Sequence, residues 1–246
     1  MPSRGADVES HAPLGYAWRM DAQPVSIAID GAEPVSGLWQ TPAAASACLV
    51  LAHGAGAGMR HKAMGAIAYG LNARGVAVLR YQFPYMEKGG KRVDPPPVAH
   101  AAVRATVAEG ARRARDLPLF AGGKSFGGRM TSQAQAIDPL PGVRGLVFFA
   151  FPLHPAGKPG IDRARHLDEV RVPMLFLQGT HDKLAELSLL KPVVARLGPR
   201  ATLHLVEAAD HSFHVPARSG RNDREIMGEV LDLFAAWIDQ IEVKRA

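Results

Sequence analysis

Six short apolar-rich runs, at residues 47–52, 76–81, 119–123, 145–150, 172–178 and 201–206, alternate with stretches of helical character. No other feature narrows the fold as much. Runs such as Ala47-Cys48-Leu49-Val50-Leu51-Ala52 are too short for helices and apolar at every position. A strand apolar on both sides has to be covered on both faces. Helical stretches near 61–74, 99–115, from 126, 184–197 and 223–242 supply that cover, and alternation of this kind implies an α/β fold with a mostly parallel sheet. Ahead of the series, Val25–Ile29 and Val35–Trp39 flank Asp30-Gly31-Ala32, a turn signal that predicts two antiparallel edge strands. There is no internal repeat and no low-complexity linker. Residues 25–246 are therefore expected to form one domain behind a loosely ordered segment, 1–24.

Open sheets of this type bind ligands beyond the carboxyl ends of their strands, so the residues that follow each run carry most of the functional information. After Leu119-Phe120-Ala121 comes Gly123-Lys124-Ser125-Phe126-Gly127, directly before a helix-forming stretch. A strand-to-helix reversal that tight forces the Ser into a strained conformation, and the flanking glycines leave room for the turn. After the run at 172–178 comes Thr180-His181-Asp182, and after 201–206 comes Ala209-Asp210-His211-Ser212-Phe213. Ser125, Asp182 and His211 thus fall, in the chain order of an α/β-hydrolase triad, just past three strand ends.

The chemistry of such a set is specific. A Ser hydroxyl is a poor nucleophile at neutral pH and needs a base within hydrogen-bond reach; His211 would be that base, and Asp182 would orient it. A tetrahedral oxyanion needs two backbone donors. The Phe126 N–H supplies one, and the Gly-rich segment His53-Gly54-Ala55-Gly56-Ala57-Gly58-Met59 supplies the other, assigned to Ala55. The irregular, Pro-rich segments 82–98 and 151–163 both follow strands and are expected to wall an open cleft. Met59, Tyr85, Lys124 and His154 are the candidate cleft residues. There is no insertion long enough for a large cap domain.

The pair His53-Gly54, the run Gly122-Gly123-Lys124-Ser125-Phe126-Gly127-Gly128-Arg129 and the run Asp210-His211-Ser212-Phe213 resemble a small α/β-hydrolase group. It is related to dienelactone-hydrolase-like proteins and to the testis-expressed and KAT-complex-associated hydrolase-like proteins. Arg80–Tyr85 and Phe151–Pro155 are also similar to it, and the resemblance spans roughly residues 25–242. It implies that Ser125 is the nucleophile, Asp182 the acid and His211 the base of a serine hydrolase acting on a small ester or related acyl bond, with no cofactor. Dienelactone hydrolase itself resembles a Cys-nucleophile enzyme, whereas this elbow carries Ser.

Rival readings attach to most of these residues. Asp182 could cap the following helix. Asp210 is the alternative acid and His214 the alternative base. His204 lies within a strand and reads as structural, while His53 is expected to brace the oxyanion loop by hydrogen bonding. Lys124 could attract acidic substrates or pair with a nearby carboxylate. Gly54, Gly56 and Gly58 follow a strand, but the dinucleotide pattern Gly-x-Gly-x-x-Gly fails at Met59, and counting from Gly56 it fails at His61. His181, Asp182, His211 and His214 would make a poor tetrahedral metal site, being adjacent pairs and a close loop pair, so no metal is expected. A non-catalytic binding scaffold on the same fold is the alternative from a different class.

Composition excludes other classes. The net charge of +6 comes from dispersed Lys and Arg, and the cluster Arg112, Arg113, Arg115 lacks the interleaved aromatics of a nucleic-acid surface. A single Cys, Cys48, sits in an apolar run and reads as core. No run reaches the ~18 apolar residues of a membrane span, and the N-terminus lacks a signal-peptide core. A cytoplasmic protein with a small-molecule substrate, no nucleic-acid partner and no membrane partner is the expectation.

Overall fold

The structure, a computed structural model, describes residues 22–244. Its centre is an eight-stranded sheet built from β1 (Gln23–Ile29), β2 (Ala32–Gln40), β3 (Ala47–Ala52), β4 (Val76–Tyr81), β5 (Leu119–Lys124), β6 (Val143–Phe149), β7 (Met174–Gly179) and β8 (Ala201–Val206). The spatial order is β1-β2-β4-β3-β5-β6-β7-β8. The β1–β2 and β2–β4 pairs are antiparallel and every other pair is parallel. The expected edge hairpin is therefore present, with β1 outermost and β2 docked on β4. The loosely ordered segment expected over 1–24 lies outside the described residues as far as position 21. Its last two residues, Gln23 and Pro24, belong instead to β1, paired with Trp39 and Leu38.

Side chains on a strand alternate between faces, and the two apolar layers divide along that alternation. Cys48, Val50 and Ala52 of β3 enter one layer, while Ala47, Leu49 and Leu51 enter the other. The first layer holds α3 (Pro96–Arg113), α4 (Phe126–Ile137) and α5 (Leu187–Leu197) through residues such as Val103, Val107, Met130, Leu190 and Val193. The second holds α1 (Lys62–Asn72) and α6 (Asp223–Val243) through Met64, Ile67, Leu71, Ile226, Val230 and Phe234. The α6 helix starts on a capping box, in which Asn222 accepts from the Arg224 and Glu225 N–H groups and Glu225 accepts from the Asn222 N–H. No large cap is present among the described residues, and no helix there is long and apolar enough to cross a membrane.

The segment 82–98 is not the structureless loop its proline content suggested. Pro84 opens a short helix, α2 (Pro84–Glu87), and Pro96 opens α3, because the missing proline N–H costs nothing in a first helical turn. Asp94 and Glu87 anchor the segment: Asp94 accepts from the Tyr85 N–H at 3.0 Å, and Glu87 accepts from the Ser36 hydroxyl at 2.7 Å. In the second Pro-rich segment, Phe151, Leu153 and His154 are buried, and a 3-10 stretch runs over Asp162–Glu169.

Phe234 is fully buried between the Phe120, Phe149 and Trp237 rings. Phe234→Ala is expected to lower the unfolding free energy by about 3–5 kcal/mol in urea titrations. Val243→Ala, on the exposed end of the same helix, is expected to stay within about 0.5 kcal/mol of wild type.

Candidate active site

Ser125 stands alone between the last residue of β5 and the first of α4, with φ 51° and ψ −117°. A non-Gly residue in that region costs on the order of 1–3 kcal/mol unless its surroundings over-determine it. They do so here. The Ser125 N–H donates to Phe149 O at 3.1 Å, and its carbonyl accepts from the Arg129 N–H at 3.1 Å. A β-carbon on Gly127 would lie 2.6 Å from both Ala52 O and His53 O, and one on Gly128 would lie 2.8 Å from Gly123 O. Hydrogen in place of side chains lets the start of α4 press against the ends of β3 and β5, and that contact lifts the Ser125 hydroxyl above the sheet.

The structure brings Ser125, His211 and Asp182 together. His211 Nε2 lies 2.8 Å from Ser125 Oγ, and His211 Nδ1 lies 2.7 Å from Asp182 Oδ2. A carboxylate only accepts, so Nδ1 carries the proton and Nε2 is left to accept from the Ser hydroxyl. The Asp182 side chain is fully buried, while that of His211 keeps 23% exposure. Asp182 is satisfied on all sides: Oδ1 accepts from the Leu184 N–H at 2.8 Å, and Oδ2 also accepts from Gln178 Nε2 at 2.5 Å. Asp182 does not cap a helix, the rival role the sequence offered: α5 begins at Leu187 with Glu186 at its N-cap, and the Leu184 bond closes a turn ahead of it.

Gln178 carries no motif, yet it holds the Asp182 carboxylate. Its Oε1 accepts from the Phe151 N–H at 2.9 Å, so it ties the β6–β7 connection to Asp182. The signal was a lone amide in the otherwise apolar strand Met174–Gly179. Asp210 does not touch the His211 ring. It folds the turn that carries that ring, accepting from the Ser212 N–H at 2.7 Å and the His214 N–H at 3.0 Å. His214 pairs with Asp223 at the start of α6, 2.9 Å away and exposed, and this contact raises its pKa.

Lys124 corrects one expectation placed on it. Its Nζ donates to the His211 backbone carbonyl at 2.7 Å and sits 5.7 Å from the centre of the Phe213 ring. It thus holds a backbone carbonyl in place of the carboxylate partner the sequence offered. Burial lowers its pKa to about 8, against the opposing pull of Asp182 and Asp210. His154 is likewise buried and braces loops: it stands with Nδ1 2.9 Å from Pro155 O, and its Nε2 accepts from the Glu186 N–H at 3.3 Å. Met59 is buried, with its N–H donating to Gln82 Oε1 at 2.8 Å and its carbonyl accepting from Arg80 at 3.2 Å. Tyr85 accepts from the Gly56 N–H at 3.3 Å and packs edge-on against Phe126, 6.5 Å between centroids.

The Gly-rich loop after β3 runs beside the elbow, where a β-carbon on Gly54 would lie 3.7 Å from the Ser125 Cβ. Among the described residues, neither the Ala55 N–H nor the Phe126 N–H has a hydrogen-bond acceptor. His53 anchors this loop. Its Nδ1 donates to Gly54 O at 2.8 Å, leaving Nε2 to accept from the Phe83 N–H at 3.0 Å. Burial lowers its pKa to about 4, opposed by the Gly54 carbonyl. His181 is exposed, and His204 is half-buried in β8. Among the described residues no three His, Cys, Asp or Glu side chains are grouped to hold a metal ion. A concavity of about 430 Å³ between the edge hairpin and α3 is not lined by Ser125, Asp182 or His211 and is separate from the site.

Residues 45–239 match the family described as the alpha/beta hydrolase domain, and the chain belongs to that family. Among solved structures it is similar to a dienelactone hydrolase from Anabaena variabilis, with a TM-score of 0.72 at 18% identity over 89% of this chain and 97% of the other. It is also similar to an alpha-beta serine hydrolase homologue from Coxiella burnetii, with a TM-score of 0.69 at 18% identity over 85% and 96% of the two chains. The protein XC6422 from Xanthomonas campestris, described as an a/b serine hydrolase without lid, gives a TM-score of 0.69 at 18% identity over 89% and 95%. At these identities the likeness concerns the fold.

The His53 arrangement has a consequence for acid stability. A folded-state pKa of about 4 lies below the ordinary value of 6.5, so the unfolded chain binds the proton first as pH falls. Stability is therefore full above pH 6.5 and is lost as pH drops toward 4. Urea titrations are expected to show a loss of about 2 kcal/mol from this group between pH 7 and pH 5. His53→Asn is expected to flatten that slope while lowering stability at pH 7.

Proposed function

We propose that this protein is a serine hydrolase that cleaves a small ester or related acyl bond through an acyl-enzyme. One observation carries the reading: the unbroken relay from Ser125 Oγ through the His211 ring to buried Asp182, at 2.8 and 2.7 Å. The proton on Ser125 Oγ passes to His211 Nε2 as the oxygen attacks the substrate carbonyl. Asp182 holds the tautomer and stabilises the imidazolium. The Ala55 and Phe126 N–H groups receive the developing oxyanion, each worth on the order of 10²–10³ in rate.

Collapse of the tetrahedral adduct breaks the bond to the leaving group, which takes the proton from His211 Nε2. The acyl group then remains on Ser125. Water enters, gives a proton to His211 and attacks the acyl carbon. The second adduct releases the acid and returns the proton to Ser125 Oγ. Half-exposed Ser125 and His211, at a rim with no large cap among the described residues, suit a small substrate that arrives and leaves directly. We assign neither a cofactor nor a metal to any step.

Ser125→Ala is expected to lower turnover of short-chain 4-nitrophenyl esters by about 10⁶-fold with unchanged thermal unfolding. A fluorophosphonate probe should label Ser125 in wild type and leave the variant unmodified. Wild-type protein that resists the probe and turns over no ester would be a binding scaffold. Asp182→Asn is expected to cost about 10⁴-fold in kcat, whereas Asp210→Asn should cost far less, because the Asn side-chain oxygen can still accept the turn's N–H groups. The reverse ranking would reassign the acid.

A further inference from the structure

One turn beyond Ser125, α4 carries a cation that the triad does not use. The Arg129 N–H closes the first turn of the helix onto Ser125 O. Helical side chains lean toward the N-terminus of their helix, and that of Arg129 does so, with its Cζ 5.8 Å from the centre of the Phe126 ring. Phe126 in turn packs on Tyr85 and Phe83, at 6.5 and 5.3 Å between centroids. The guanidinium therefore lies on the aromatic wall at Phe126, the residue that follows Ser125. Arg163 lies in the 3-10 stretch Asp162–Glu169, three residues before His166, whose Nε2 is 2.7 Å from Ser132 Oγ, three residues after Arg129; its charge disfavours that of Arg129, a smaller effect than burial.

Neither guanidinium has a counter-ion among the described residues. Among the described residues no acceptor lies within hydrogen-bond distance of the Arg163 or Arg129 side chains, and Arg129 Nε is buried without a partner. The acids on the surrounding elements are committed elsewhere. Asp138 pairs with Arg104 at 2.9 Å, Asp162 with Arg165 at 2.6 Å, and Asp168 with Arg196 at 3.0 Å. Glu169 pairs with Arg171 at 3.1 Å, and Glu109, the one acid of α3, pairs with Arg112 and Arg113. The remaining polar neighbours are amides, hydroxyls and imidazoles. Ser132 Oγ lies 2.7 Å from His166 Nε2, and Gln133 Oε1 lies 3.2 Å from His100 Nε2. Two half-buried cations side by side repel each other and lose hydration. An anion placed between them would relieve both costs, and a planar guanidinium is suited to bind a carboxylate through two parallel hydrogen bonds.

We propose that Arg129 and Arg163 form an anion subsite flanking Ser125, so that the substrate is an ester or acyl compound bearing a carboxylate or similar anionic group. This rests on the serine hydrolase reading above and adds the charge of the substrate to it. The subsite selects among esters by binding the charged end while the scissile carbonyl lies over Ser125. Neutral esters of the same length lack that anchor.

The test compares 4-nitrophenyl hydrogen glutarate with neutral 4-nitrophenyl butyrate, and 4-acetoxybenzoate with 4-acetoxybenzamide, placing the charge on the acyl side or the alcohol side. Wild type should prefer the anionic member of at least one pair by about tenfold or more in kcat/KM, and 0.5 M NaCl should shrink that preference. Arg129→Met and Arg163→Met should each reduce the anionic-to-neutral ratio by about tenfold, Arg129→Lys should retain part of it, and exposed Arg115→Met should leave it unchanged. Fluorophosphonate labelling of Ser125 checks that each variant is folded at the elbow. Ester turnover with no anionic preference in either pair would overturn the subsite and leave the hydrolase reading intact. Absence of labelling and of all turnover would overturn the hydrolase reading. Calorimetric titration of Ser125→Ala with monomethyl glutarate then decides the subsite independently: binding that weakens with Arg129→Met supports it, and no binding overturns it.

Discussion

The close approach of α4 to the ends of β3 and β5 is the constraint on which the rest of the site depends. Gly127 and Gly128 let the helix start within contact of the Ala52 and Gly123 carbonyls, and the strained Ser125 backbone follows from that contact. The same placement sets the Phe126 N–H beside the hydroxyl and brings the loop at Gly54 alongside. Strain of this kind persists only where many contacts oppose its relaxation. Here two backbone hydrogen bonds, to Phe149 and Arg129, hold it from both sides.

Much of the architecture was legible because strands buried on both faces leave an unambiguous apolar signature. The run at Ala47–Ala52 kept its bounds, and those at 145–150 and 172–178 shifted by one or two residues, since strand ends depend on pairing partners that a single chain segment does not reveal. Proline misled at 82–98, because Pro84 and Pro96 start helices as readily as they break them. In the candidate site, Ser125, Asp182 and His211 were readable because each lies within a few residues of a strand end. Gln178 and the tether of Lys124 were not, because both depend on which distant backbone atom lies within reach.

The candidate cleft residues illustrate the same limit. His154 and Met59 sit near the site in sequence terms, yet their polar contacts bind one loop to another. Polarity after a strand end marks a functional region; it does not say whether a given side chain faces the ligand or the scaffold. Arg129 is the opposite case: an ordinary helix residue in the sequence that stands against the aromatic wall without a carboxylate partner among the described residues.

Lys124 and Ser125 are consecutive, and Lys124 Nζ grips the carbonyl of the very residue whose ring faces Ser125 Oγ. The end of one strand therefore presents the Ser125 hydroxyl and also fastens the arm that carries the His211 ring, although 86 positions of chain separate them. Any displacement of that strand end carries both partners along, so the spacing between hydroxyl and imidazole is insulated from drift elsewhere in the sheet. Evolution could reshape the surrounding loops for new ligands while leaving this geometry untouched.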